Sequence, residues 1–422
     1  MTTQHTAAAG DLDLDFGDQG RVHLVGPNSY KIRVKDVRTG PGQKIYFAAE
    51  TGINFHSYAL GRLNTDGSSD LSFGDNGLTS GRLAFQNSTV HSFAFTPDSQ
   101  LMLLGTATSV ANQAPALARF TENGTLDTRF GTDGYVRLDR LGNTEASAPA
   151  AQASSSVLGD ASSGGLEVLP DGKILGFAGF NTRDAGVIFR LHPDGSLDNS
   201  FNGDGYVRVV NPGNGGTVLN NIMVQADGKC LGCGEASVGG RSAGMFVRYG
   251  VDGRLDPSFG QNGWVRIYLP VGAIFLRFQA MARQPNQRIL GIGYGSIEET
   301  QGALVSLEPD GSPSIQFNGG NPLLSAPDDA DNTVWYSGAI QRDGKILVTG
   351  GSAVVSFDAD VVVARLIDGA FDPSFNGKGW VRTAAEQGNK LVASSLAVQV
   401  DGKILVAANN NFYDGLILRY HG

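Results

Sequence analysis

Apolar and polar positions fall into short runs, and the runs recur in a fixed order. One unit begins Gly165-Leu166-Glu167-Val168-Leu169 and turns at Pro170-Asp171-Gly172. It continues as Lys173-Ile174-Leu175-Gly176-Phe177-Ala178-Gly179, then Gly186-Val187-Ile188-Phe189-Arg190-Leu191. After a polar loop it closes with Gly205-Tyr206-Val207-Arg208-Val209. All four runs are β-branched or aromatic-rich and bounded by Gly, Pro, Asn or Asp, which is strand chemistry. Asp-Gly between two apolar runs predicts a hairpin, because Gly accepts a positive φ there. No stretch sustains a helical period. The pattern predicts four antiparallel strands per unit.

The unit repeats. The stretch Leu126-Asp127-Thr128-Arg129-Phe130-Gly131-Thr132-Asp133-Gly134-Tyr135-Val136 has counterparts around Phe16, Phe73, Phe201, Phe259, Phe317 and Phe375, with gaps of 57, 57, 71, 58, 58 and 58 residues. The Asp-Gly-Lys turn recurs at Asp171, Asp227, Asp343 and Asp401, and in degenerate form at Gly42-Gln43-Lys44, Asp98-Ser99-Gln100 and Asn286-Gln287-Arg288. Seven four-stranded units at one period predict an all-β, seven-bladed β-propeller.

Three linked motifs carry a resemblance: Leu-Asp-x-x-Phe-Gly/Asn-x-x-Gly-x-Val, Asp-Gly-Lys-Ile-Leu and Arg-[Leu/Phe/Tyr]-x-x-Asp-Gly. Together they resemble the bacterial delta-60 repeat family over residues 10–422. The resemblance implies a propeller-like array in a bacterial, often cell-surface or exported, protein, and it brings no catalytic or ligand residues with it. Two departures stand out. Blade 5 has a decayed loop, Pro313-Ser314-Ile315-Gln316-Phe317-Asn318-Gly319-Gly320, and an Ala- and Ser-rich insertion, roughly 139–164, precedes blade 3.

The strand after the decayed loop starts with Pro322. Pro cannot donate to a sheet ladder, so this strand is expected at the blade edge and the strand before Asp-Gly-Lys at the axis. The chain ends just after a third strand and begins with the missing loop and fourth strand. The N-terminal strand near 20–25 is therefore expected to complete blade 7 (390–422) and close the ring, with Asp13 pairing with Arg419. Residues 1–8 read as a flexible tail and 9–422 as one propeller.

Composition narrows the function classes. With 41% hydrophobic and 17% charged residues and 59 Gly, the chain reads as folded and turn-rich. A net charge of -9 disfavours nucleic acid and anionic membrane surfaces as partners. No apolar run reaches membrane-spanning length, so no membrane insertion is expected. No signal peptide is visible, which points to a cytoplasmic protein or one exported without an N-terminal leader. A monomeric propeller without cofactor is expected.

Several residue sets invite chemistry. Arg62, Arg119, Arg190, Arg248, Arg365 and Arg419 end third strands, and Asp70, Asp127, Asp198, Asp256 and Asp372 follow seven or eight residues later. Seven anion or metal sites are one reading. A clamp pinning each loop to its blade is the other, and it is favoured because blade 5 loses both partners together, to Ser306 and Ser314. Cys230 and Cys233 lie on opposite faces of one strand and read as buried free thiols. Gly240-Arg241-Ser242-Ala243-Gly244 matches a nucleophile-elbow pattern, but in a loop between strands rather than a strand–turn–helix. The six histidines never take ligand spacing, so no metal site is assigned. No catalytic residue is assigned.

Function is expected on one face. In a four-stranded meander, the Asp-Gly-Lys turns and the Phe-Gly loops share one nearly uniform face. The second-to-third and blade-to-blade loops share the other and differ in every blade. That variable face carries Phe55, His56, Tyr58, Phe180, Arg183, Tyr268, Phe412, Asp414 and the insertion as a lid. The ligand-binding set expected there is Lys35, His91, Asn220, Gln279, Tyr294, Trp335, Tyr336 and Tyr413, beside Asp36, Asn221 and Ser394 on the inner strands. The bland alternative is that the aromatics pack between blades. The leading reading is a non-enzymatic recognition module for a protein or glycan. The alternative is a carbohydrate-active enzyme, a polysaccharide lyase or hydrolase, with its site at the axial channel mouth. The third is a structural or assembly protein.

Overall fold

The structure is a computed structural model, and it describes residues 7–108, 113–141, 163–179, 186–212, 215–270, 272–327, 332–353, 359–384, 390–410 and 414–422. Seven antiparallel sheets form the blades of a propeller. The inner strands are Arg33–Thr39, Asn87–Phe95, Gly164–Val168, Thr217–Val224, Phe275–Arg283, Asn332–Ile340 and Leu391–Val398. In blades 1 to 6 the outer strands are Leu78–Gly81, Tyr135–Arg137, Tyr206–Val209, Trp264–Ile267, Leu323–Ser325 and Trp380–Thr383. Pro322 stands just before the outer strand of blade 5, as edge chemistry requires. Blade 6 adds a two-residue strand, Ala370–Phe371, against its third strand.

The ring closes as the register expected from the repeats demands. Arg21–His23 pairs with Asp414–Tyr420, matching Arg21 to Leu418 and His23 to Leu416, and becomes the outer strand of blade 7. Gly10 N–H donates to His421 O, and Arg419 Nε donates to Asp13 Oδ2 at 2.6 Å.

The apolar core is divided among the blade interfaces. Seven separate clusters of buried side chains fill them, and each contains one of the repeated Phe residues. Cys230 packs in the cluster between blades 3 and 4, and Cys233 in that between blades 4 and 5. Both are buried free thiols, with burial pushing their pKa values up.

The Phe-Gly loop owes its sequence to backbone geometry. The residue after the Phe has φ of 55° at Gly74, 56° at Asn202 and 50° at Asn376. Gly and Asn are the residues that enter this left-handed region at least cost.

The repeated Arg is a clamp within and between blades. In blade 3, Arg190 Nε donates to Asp198 Oδ2 at 2.7 Å, and its guanidinium lies 4.8 Å from the centre of the Phe201 ring. Its Nη1 donates to Val251 O of blade 4. Lys173 of the Asp-Gly-Lys turn reaches the same carboxylate at 3.1 Å, which ties the two uniform loops together on one face. Blades 1, 2, 4, 6 and 7 repeat the Arg–Asp pair. In blade 5, Ser306 donates to Gln284 instead, and the ion pair has moved to Arg288 and Glu308 at 3.0 Å.

Candidate functional site

The inner strands share a device that the repeats do not announce. Each pairs with its second strand until one residue is extra: Lys35, His91, Asn220, Gln279, Tyr336 and Ser394 are the bulged residues in six blades. A bulge adds an unpaired residue and re-aims its side chain. Here the extra residue is polar in each of the six blades. Blade 3 keeps a regular register, with Gly164 at the equivalent place. A Cβ on Gly164 would lie 2.6 Å from His91 Cδ2, so the glycine leaves room for the imidazole.

A bulge also strips backbone groups of ladder partners, and buried backbone groups must find others. The preceding blade supplies them. Asn409 Oδ1 accepts from Val34 N–H at 2.8 Å, and its Nδ2 donates to Val34 O at 2.9 Å. Glu50 Oε1 accepts from Val90 N–H, Asn220 Nδ2 donates to Phe278 O, and Ser394 Oγ donates to Val34 O. Asn220 and Ser394 therefore stitch blades together.

Around the bulges stands a second set of polar groups. Eight residues after the turn, the second strands carry Glu50, Thr106, Glu235, Tyr294 and Asn409. His91 Nε2 and Thr106 Oγ1 are 2.8 Å apart. Burial, helped by the Lys35 charge, pushes the His91 pKa down to about 3, so the imidazole is neutral at physiological pH. Glu50 accepts from Arg33 at 3.2 Å and pairs with Lys35 at 3.4 Å. On the opposite wall, Arg277 Nε donates to Glu235 Oε2 at 2.6 Å, and Ser242 Oγ donates to Glu235 Oε1 at 2.6 Å. Tyr294 stands beside Arg277, and its ring meets Tyr336 edge-on at a centroid distance of 6.1 Å. Burial pushes the Tyr336 phenol pKa up and keeps it protonated.

The structure sorts the expected residues. Lys35, His91, Gln279, Tyr294 and Tyr336 remain partly exposed on the axial wall. Among the described residues, Gln279 and the Tyr336 hydroxyl make no hydrogen bond, and His91 uses one ring nitrogen only. Trp335 is a correction to the ligand-facing set. It is 0% exposed, packed between blades 5 and 6, with Nε1 donating to Ser325 Oγ. It sits one residue before the bulge, where the other blades place buried Val34, Val90, Leu219 and Phe278. Tyr413, Phe180, Arg183, Phe412 and most of the insertion, 142–162, lie outside the described residues.

Ser242 is also corrected. It lies in the third strand of blade 4, Arg241–Tyr249, with no helix following. Glu50, Thr106, Glu235, Arg277 and Asn409 were missed by the reading from sequence. For all but Arg277, which stands on an inner strand, the signal was a polar residue recurring at one offset inside otherwise apolar or small-residue strands. Among the described residues, no three His, Cys, Asp or Glu side chains converge as metal ligands.

The chain resembles several solved structures at low identity. A protein of unknown function from Dyadobacter fermentans DSM 18053 shares 10% identity over 95% of this chain and 98% of its own, with a TM-score of 0.46. The polysaccharide lyase Uly1 shares 11% over 95% and 98%, also with a TM-score of 0.46. A glucose dehydrogenase shares 15% over 79% and 96%, with a TM-score of 0.39. At such identities and TM-scores these likenesses carry no argument about function. No curated protein matches the sequence. Residues 96–130, 169–201 and 225–259, each running from an inner turn to the repeated Phe, match the family described as "Domain of unknown function (DUF5122) beta-propeller".

Proposed function

We propose that the chain is a non-enzymatic recognition module that takes a glycan at the axial mouth of its variable face. One observation carries this reading. Six blades carry a bulge at the same inner-strand position, its residue polar and different in each, and Lys35, His91, Gln279 and Tyr336 are not spent on joining blades. Aromatic edges, an amide and charged groups converging on a concave mouth suit hydroxyl-rich ligands. The protonation states favour binding over acid–base catalysis. A base works best with a pKa near the operating pH, and a neutral His91 with a pKa of about 3 is a weak one. The delta-60 resemblance, which implies an often cell-surface or exported protein, fits an extracellular glycan.

The test is an array of oligosaccharides probed with the wild-type chain, with a Gln279→Ala/Tyr336→Phe double variant, and with Lys173→Ala on the uniform face. The expected result is binding by wild type and Lys173→Ala, with loss in the double variant at unchanged circular dichroism. Binding that survives the double variant, or an array with no hits, overturns the proposal.

A further inference from the structure

The axial wall carries charge of the opposite sign to the chain as a whole. The seven inner strands hold five cations, Arg33, Lys35, Arg38, Arg277 and Arg283, against two carboxylates, Asp36 and Glu167. Glu50 and Glu235 reach in from the second strands and raise the carboxylates to four. One positive charge is left over, in a chain whose net charge is -9.

The surplus has a location. Arg277 and Glu235 form a closed pair, Nη2 to Oε2 at 2.5 Å. Asp36 is consumed by Arg38, Ser92 and Ser395. Glu167 lies in the field of Arg38 and Arg283, and Glu50 faces two cations of its own. Its Oε2 lies 3.2 Å from Arg33 and 3.4 Å from Lys35, while its Oε1 accepts from Val90 N–H. Of the two cations, Arg33 has the shorter contact and lies under the Phe55 ring at 4.6 Å. Lys35 has the longer contact, keeps 20% of its side-chain surface open and sits on the bulge that points to the axis. His91, from the next blade, lies close enough to feel its charge.

Resting on the glycan reading, we infer that the ligand is an acidic glycan whose carboxylate or sulfate is taken by Lys35. Gln279 and Tyr336, from blades 5 and 6, read its hydroxyls. A cation in a concave, protein-walled mouth draws anions from solution more strongly than the same cation on an open surface. A charge-assisted contact of this kind is worth about tenfold or more in affinity.

The experiment compares oligosaccharides of equal length in neutral, uronate-bearing and sulfate-bearing forms, binding to the full chain. Acidic forms should bind at least about tenfold tighter than neutral ones, and their affinity should fall as NaCl rises. Lys35→Met should remove the preference, and Lys35→Arg should keep most of it. Neutral forms binding as tightly as acidic ones, or an affinity flat in salt, overturns the inference and leaves the glycan site standing. Loss of all binding in the Gln279→Ala/Tyr336→Phe variant supports the site independently of the charge. If Lys35→Met misfolds, the salt dependence of the wild type still decides.

Discussion

Protonation at single residues sets the acid limit of this fold. His91 is held neutral with a pKa of about 3 by burial and the Lys35 charge. In an unfolded chain it titrates near roughly 6.5. The unfolded state therefore takes up a proton that the folded state refuses, and stability is lost as pH falls from about 6.5. Asp13, Asp70, Asp127, Asp198, Asp256 and Asp372 are the opposite chemical type with the same sign. Burial raises all but Asp127 most strongly, yet Ser, Lys and Arg partners outweigh it; in Asp127 the Arg129 hydrogen bond leads. Their pKa values lie below the usual carboxylate value. Their stabilisation is present above about pH 3.9 and is lost below it. Thermal melts should thus be level above about pH 7, decline from about 6.5 and drop steeply below about 4. His91→Gln should remove the first decline and keep the second. A wild-type profile level from pH 7 to 4 would refute the neutral imidazole. The clamps themselves were legible, because Arg and Asp recur at a constant offset and disappear together from blade 5. The bridging Lys was not, because its distance to the Asp depends on two loops meeting in space.

At the scale of the element, the inner-strand bulge decides what faces the axis. Asn409 bonds both backbone groups of Val34 beside the blade 1 bulge, holding its N–H alone and sharing its carbonyl with Ser394. Asn409→Ala should destabilise the chain by about 1–3 kcal/mol, the cost of an unsatisfied buried backbone group. Asn409→Ser should cost less, since it restores one bond. Urea denaturation measures both, and equal midpoints for wild type and Asn409→Ala would contradict the stitching role. The bulge also explains which site residues could be read in advance. Counting back seven residues from the turn position reaches Lys35, His91, Gln279 and Tyr336, each the bulged residue of its inner strand. Trp335 was misplaced because it was grouped with aromatic neighbours on the variable face. Its column, with Val34, Val90, Leu219, Phe278 and Ala393, is apolar, which is the mark of a buried plug. Periodicity two alone could not show this, since an extra residue resets the alternation.

For the whole molecule, seven units at one period made the architecture readable, and the offset between first and last unit made its closure readable. The pairing of Arg21–His23 with Asp414–Tyr420 is the join on which the ring depends. Removing residues 1–25 deletes that strand and Asp13, leaves Arg419 without its carboxylate and opens the sheet edge along Asp414–Tyr420. That truncation should unfold or oligomerise, as read by size-exclusion chromatography and melting temperature. Removing residues 1–8 should change neither. Matching melting curves for the two would disprove the join.

The same join orders events during synthesis. Arg21–His23 leaves the ribosome long before Leu391–Val398 and Asp414–Tyr420 exist to receive it. Blades 1 to 6 have all their strands from contiguous sequence and can assemble as they emerge. Blade 7 cannot, so the earliest strand stays a bare, unpaired edge until the last is made. Such edges are what chaperones and misassembly both act on. A nascent chain stopped before residue 391 therefore holds that strand without its partner, and a copy trapped there has its first strand free to complete the seventh blade of another.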